Sequence, residues 1–240
     1  MSVTTRIQEL NNRLATNLVS KGVSAEGTET TTELINKVND IESGGTSVIN
    51  PEWTDWRHFS YYDNRNDLVA KLKYSDTANG TNFNYMFNYC YALTSIPQLD
   101  TSNGTDFSGV FYYCWSLTSI PPLDTSKGTN FSYMFYDCKA LTTISLLNMS
   151  SMSSASCGSM FNGCTALENV TFEGTIQVRG NMSVFSSCPN LTVDSLMSFI
   201  NALTNMNSSA TYTITIGSTN LAKLTEEQIQ IATDKRITLQ

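Results

Sequence analysis

Histidine is nearly absent. His58 is the one imidazole in 240 residues, so a Ser-His-Asp or Cys-His arrangement would have to use it. It lies in WTDWRHFSYY, an aromatic run with no nucleophile motif beside it, and it reads as a structural or surface residue. No P-loop, G-x-G-x-x-G or H-E-x-x-H spacing occurs. Nothing singles out two carboxylates for glycoside hydrolysis. No catalytic residue, cofactor site or metal site is assigned. Charge is also scarce, at 15% of residues against an ordinary share of about a quarter, and Ser, Thr and Asn fill the gap. The chain has no Lys/Arg block and a net charge of −7, which argues against nucleic acid as a partner. No apolar run reaches the length of a membrane span. The N-terminus, MSVTTRIQELNNRLAT, lacks an apolar core and a small-residue cleavage site. It is not read as a secretory signal, and the chain is expected to stay in the cytoplasm of the cell that makes it.

Six cysteines are present, but no C-x-x-C pair, which leaves zinc and redox motifs without support. Their spacing has another meaning. Cys90, Cys114, Cys138, Cys164 and Cys188 follow one another at 24, 24, 26 and 24 residues. Three residues before each stands Phe87, Phe111, Phe135, Phe161 or Phe185. Three residues after stands Leu93, Leu117, Leu141, Leu167 or Leu191, and six after, in four copies, Ile96, Ile120, Ile144 or Val170. A repeat of this length with Leu, Ile and Cys in fixed slots indicates leucine-rich repeats. The fold class read here is α/β: a leucine-rich-repeat solenoid of about five to six 24–26-residue strand/short-helix units, with a small N-terminal helical segment. An earlier copy places Asn66 in the cysteine slot, with Val69 and Leu72 following.

Within a unit, Phe131, Met134 and Phe135 have the spacing of one helical face. Leu141 to Ile144 reads as a short extended segment. Asp124 to Thr129 is a polar turn whose glycine is expected to supply φ > 0. The recurrent Asp76, Asp100 and Asp124 suit Asx-type turn bonds better than calcium, which needs six or more oxygens at one point. The cysteines are expected to be free and buried, a small apolar side chain with a weak S–H donor suiting a tight interior corner. Cys157 takes the slot of Phe83, Phe107 and Phe131 and is expected in the core.

Three segments follow from this. Residues 1–47 carry two helical stripes, Ile7, Leu10, Leu14 and Leu18, then Leu34, Val38 and Ile41, before the Ser43–Ser47 glycine linker. Helices this short are marginal alone, and the linker favours an oligomerisation or docking role over a capping hairpin. Residues 48–195 hold the repeats, closed at the N-terminal end by Trp53, Trp56 and Phe59. Residues 196–240 read as a C-terminal capping unit. They contain a helix through Leu196, Phe199, Ile200 and Leu203 capped by Asp194, and a strand over Tyr212, Ile214 and Ile216. A helix opened by Thr225 and Gln228 and a last strand at Ile237 and Leu239 follow.

Between the core slots stand Tyr85, Tyr89, Tyr91, Tyr112, Tyr113, Trp115, Tyr133 and Tyr136. Stacking would align Tyr89 with Tyr113 and Tyr91 with Trp115. Such rings either fill space between turns or form a contact face, since rings with a polar tip are favoured at binding surfaces.

The phrase LDTSKGTNFSYMFYDCKALTTI closely resembles the BspA-like family of leucine-rich repeats, found in bacterial surface proteins and lipoproteins. The Phe-x-x-Cys-x-x-Leu-x-x-Ile core and the Asp-Thr-Ser turn carry the likeness over roughly residues 60–195. The tail from Thr213 resembles the closing unit of such arrays in gut bacteria and their phages. NLVSKGVSAEGTETTTELINKVNDI resembles N-terminal segments of phage minor structural proteins. The resemblance implies no catalytic residues. It implies a phage virion protein whose leucine-rich module binds a host cell-surface protein or glycan, or decorates the particle. Other virion proteins, or further copies of the chain, would be held through the N-terminal helices. A bacterial cell-surface adhesin is the alternative. Bacterial members normally carry an export signal and an anchor, which favours the phage reading.

Overall fold

The computed structural model describes residues 77–152, 157–205 and 209–240. The two N-terminal helical stripes with their linker, the Trp53, Trp56 and Phe59 closure, His58 and the Asn66 copy lie outside the described residues.

From the first Phe of each unit to its cysteine, the backbone is not the expected helical turn. It is a run of turns in which the N–H groups alternate between two kinds of acceptor. The N–H groups of Phe83, Tyr85, Phe87 and Tyr89 donate to the carbonyls of Asp106, Ser108, Val110 and Tyr112 in the next unit, at 2.8–2.9 Å. Those of Met86, Asn88 and Cys90 donate three residues back, to Phe83, Tyr85 and Phe87. The pattern recurs 24 residues on, where Phe107, Gly109, Phe111 and Tyr113 donate to Asn130, Ser132, Met134 and Tyr136. A left-handed residue at every fourth position turns the chain so that alternate N–H groups point sideways. Tyr85 and Tyr89, Gly109 and Tyr113, Tyr133 and Asp137, and Ser159 and Gly163 all have positive φ. The i, i+3, i+4 spacing still puts Phe131, Met134 and Phe135 on one fully buried side.

The extended side runs the ladder the other way. Here the N–H of Thr118 donates to Thr94 and that of Thr142 to Thr118, the later unit to the earlier. Strand β1 (Thr143–Asn148) pairs in parallel with β2 (Asn169–Glu173), and a bulge between Ile144 and Leu147 absorbs one residue of the longer spacing. A parallel pair of β3 (Ile176–Val178) with β5 (Leu203–Asn205) follows, then a parallel sheet in which β6 (Tyr212–Thr215) lies between β4 (Met182–Ser183) and β7 (Ile237–Leu239). Helices α1 (Val193–Ala202), α2 (Ser218–Leu221) and α3 (Glu226–Asp234) stand between them.

This registration builds two columns of phenylalanine. Phe83, Phe107 and Phe131 stack with centroids 5.6 Å apart. Phe87, Phe111, Phe135, Phe161 and Phe185 stack at 5.1–5.5 Å. Each buried ring contributes roughly 1.5–3 kcal/mol. The first column ends where Cys157 replaces the ring and its Sγ meets Met182 Sδ at 3.6 Å. The second ends under Phe199 of α1, edge-on to Phe185 at 5.0 Å.

All six cysteines are free, and all but Cys90 are buried. Their thiols extend the backbone ladder. Cys114, Cys138, Cys164 and Cys188 each donate S–H to the carbonyl of the preceding unit's phenylalanine, Phe87, Phe111, Phe135 and Phe161, at 2.7–3.1 Å. That carbonyl also takes the N–H of the cysteine in its own unit, so both lone pairs are used away from water. The Asp-Thr-Ser turn has a similar economy. Asp100 and Asp124 each accept the N–H and O–H of the serine two residues on. The buried threonines between them reach the next unit: Thr77 accepts the N–H of Asp100, and Thr101 donates to the carbonyl of Asp124.

Three further details differ from the sequence reading. Gly128 does not have positive φ; a Cβ there would lie 2.2 Å from the Phe131 ring, so space and not dihedral freedom requires glycine. The cap of α1 is Thr192, whose side chain accepts the N–H of Ser195. Asp194 lies in the first turn, where its charge faces the positive helix end, and Leu203 starts β5 instead of closing the helix. The Thr225–Gln228 capping box on α3 is present in both directions.

Cys138→Ala removes a buried donor from the Phe111 carbonyl and is expected to cost about 1–2 kcal/mol, read as a lower urea midpoint at unchanged m-value. Burial also pushes the thiol pKa up at Cys114, Cys138, Cys157 and Cys164, to about 12 for Cys157. The folded chain holds these protons at a pH where the unfolded chain has released them. This stability is complete below about pH 9 and is lost as pH rises toward about 12, at up to about 1.4 kcal/mol per pH unit for each thiol. Urea titrations across that window are expected to show a shallower decline in Cys138→Ala than in the parent.

Candidate functional site

The eight aromatic residues singled out from the sequence form one continuous cluster on the outer side of the turn runs. Tyr89 lies parallel to Tyr113 at 5.3 Å, and Tyr91 meets Trp115 at 4.4 Å. Tyr112 joins the two slots. It stands edge-on to Tyr85 at 5.9 Å, to Tyr89 at 5.7 Å and to Tyr113 at 4.5 Å, and stacks on Tyr136 at 5.1 Å. Tyr133 closes the group against Tyr136 at 5.9 Å. Tyr91, Trp115 and Tyr133 are exposed at 40–42%, and the other five are half-buried. The cluster is therefore neither interior packing nor a set of free rings. Its members pack face to face and edge to face against one another while part of each ring stays exposed.

The backbone beneath explains how the rings are aimed. Tyr85, Tyr89, Tyr113 and Tyr133 all have φ of +53 to +60, a region that costs a residue with a Cβ roughly 1–2 kcal/mol and is unusual for a bulky side chain. The same slot holds Gly109 between Tyr85 and Tyr133. A Cβ at Gly109 would lie 2.2 Å from the Tyr85 ring, so the tyrosine of one unit rests on the bare backbone of the next. Burial raises the phenol pKa of Tyr112, reinforced by Tyr113 alongside, and those of Tyr85 and Tyr136. These hydroxyls stay protonated to higher pH than a free phenol.

The sequence reading missed two neighbours. Asp137 occupies the slot of Tyr89 and Tyr113, and Lys139 that of Tyr91 and Trp115. The Trp115 indole N–H donates to Asp137 at 3.0 Å. The Lys139 ammonium lies 4.6 Å from the Trp115 ring centre and 3.2 Å from the same carboxylate. Counting 24 residues on from the aromatic slots would have found both. A separate depression of about 260 Å³ lies among Ser186, Pro189, Gly217 and Thr219. Its lining holds no carboxylate, imidazole or basic side chain. Among the described residues no group of three His, Cys, Asp or Glu side chains is placed to hold a metal ion. The proposed self-association residues Ile7, Leu10, Leu14, Leu18, Leu34, Val38 and Ile41 lie outside the described residues.

Units 24 residues apart, hydrogen-bonded in register and sharing columns of Phe and Cys, define a repeat protein with an aromatic outer cluster. The comparison with known families agrees: residues 57–174 match the family described as "Mycoplasma protein of unknown function, DUF285", a match that fits a BspA-like repeat protein. No curated protein and no solved structure matches the chain.

The left-handed slots give a test that inverts the usual order of substitutions. Glycine normally destabilises relative to alanine, but at Tyr113 only glycine relieves the positive φ. Tyr113→Gly is expected to be more stable than Tyr113→Ala by about 1 kcal/mol in thermal or urea unfolding. The ordinary order would show that this backbone is not left-handed.

Proposed function

We propose that the chain is a non-enzymatic binding module: a leucine-rich-repeat solenoid carried on a phage particle. It attaches that particle to a host cell-surface protein or glycan, or decorates it, through the aromatic cluster. Residues 1–47 would join it to other virion proteins or to further copies of itself. The observation that carries the binding part is the placement of tyrosine in left-handed slots that Gly109 and Gly163 fill without strain. The Phe columns already supply the interior, so rings held outside at a backbone cost add area to a surface that faces water, and strained positions of this kind gather where a ligand is held. Tyr and Trp are also the residue types that concentrate binding energy at interfaces. The phage part is supported by the likeness of residues 17–41 to phage structural proteins.

A second reading, a bacterial cell-surface adhesin or interaction protein, is supported by the bacterial name of the matched family. Protein mass spectrometry of purified particles separates the two, because a virion component is present at fixed copy number and an adhesin is found in cell envelopes instead. Attachment, by a particle or by an adhesin, requires the full chain to bind the surface of its target cell, which particle decoration does not. The double substitution Tyr91→Ala with Trp115→Ala is expected to weaken that binding about tenfold or more with an unchanged fold by circular dichroism. Undiminished binding would remove the aromatic cluster as the contact face.

A further inference from the structure

Where the aromatic slots end, the surface turns charged in a specific way. One carboxylate oxygen of Asp137, Oδ2, accepts the Trp115 indole N–H at 3.0 Å and lies 3.2 Å from the Lys139 ammonium, which in turn lies 4.6 Å from the indole ring centre. A carboxylate pinned beside an indole face is the combination that recognises an ammonium or guanidinium group: the ring offers its negative face, and the carboxylate a charge-assisted acceptor. The seat is fixed before any partner arrives. Asp137 has φ of +61 and its N–H is held by the carbonyl of Asn162 at 2.7 Å. Its present occupant is held loosely by comparison. The Lys139 side chain is 49% exposed, and an exposed pair of this kind adds little and is screened by salt.

The surroundings select the partner. Residues 77–152 carry Asp100, Asp106, Asp124 and Asp137 against Lys127 and Lys139, and the whole chain has a net charge of −7. That balance attracts a cationic surface and repels polyanions. Tyr89 is stacked on Tyr113 and so offers no open face for a sugar, and the ammonium of Lys139 over the Trp115 ring marks that face as one that accepts a positive charge. We propose that Trp115, Asp137 and Tyr91 form a seat for an arginine or lysine side chain of a protein partner, filled in the free chain by Lys139. This inference rests on the aromatic surface being the contact face, and within that reading it names a protein with exposed basic side chains over a glycan.

The test follows the Trp115 indole N–H resonance of the full chain by NMR, assigned with Trp115→Phe. The probe is the tripeptide Gly-Arg-Gly, and the sugar control is cellohexaose. The peptide is expected to shift the resonance with weak, salt-sensitive affinity, several-fold tighter in Lys139→Ala and several-fold weaker in Asp137→Asn, while cellohexaose leaves it in place. No response to the peptide in Lys139→Ala overturns the seat, and so does a response to cellohexaose alone. If the peptide fails while envelope binding still depends on Tyr91 and Trp115, the seat is wrong and the surface reading stands. If envelope binding is also indifferent to these residues, both fall together.

Discussion

From the first phenylalanine to the cysteine of each unit, alternate N–H groups serve alternate masters: one closes a turn within the unit, the next bonds the following unit. A helix would spend all of them on itself and leave neighbouring units to meet only through side chains. Here the covalent spacing is locked to the hydrogen-bond spacing, so equivalent residues face one another and identical side chains line up in columns. The stacked phenylalanines and the thiol-to-carbonyl bonds both follow from that registration. A phenylalanine carbonyl that accepts from its own unit's cysteine N–H and the next unit's S–H has no capacity left for water. That is why a residue as small as cysteine recurs in this slot, while a larger one would push the columns apart.

The same registration governs the surface. A slot that carries tyrosine in two successive units makes a ring pair without further design, and a slot whose identity changes from one unit to the next makes a boundary. The aromatic cluster ends at such a boundary, where Asp137 and Lys139 take over the slots of Tyr113 and Trp115. Glycine at position 109 gives the Tyr85 ring a place to lie. Binding surfaces in a stacked-repeat protein can therefore be edited one slot at a time, with the core columns unaffected.

Much of this was legible in the sequence, and the limits have physical causes. Phe87, Cys114 and Leu141 could be assigned to the interior because a 24-residue period leaves little choice about which side chains superimpose. The pairing of Tyr89 with Tyr113 and of Tyr91 with Trp115 followed from the same counting. The backbone between them did not, because Phe131, Met134 and Phe135 have a spacing that a helical turn and a run of alternating turns satisfy equally. Only the left-handed positions distinguish the two, and four of them carry tyrosine, which does not signal positive φ. Gly128 misled for the converse reason: glycine invites a dihedral explanation where the Phe131 ring supplies a steric one. The threonine of the Asp-Thr-Ser turn looked like ordinary loop polarity, and its role in bridging to the next unit needs the neighbouring copy in view.

The opposite directions of the two backbone ladders have a further consequence. On the turn side peptide donors point from Phe83 toward Asp106, and on the extended side from Thr118 back toward Thr94. Peptide dipoles that would add end to end in a helix oppose each other here along the stacking direction. Each added unit therefore brings peptides of both orientations, unlike an added turn of helix, whose dipoles all point one way.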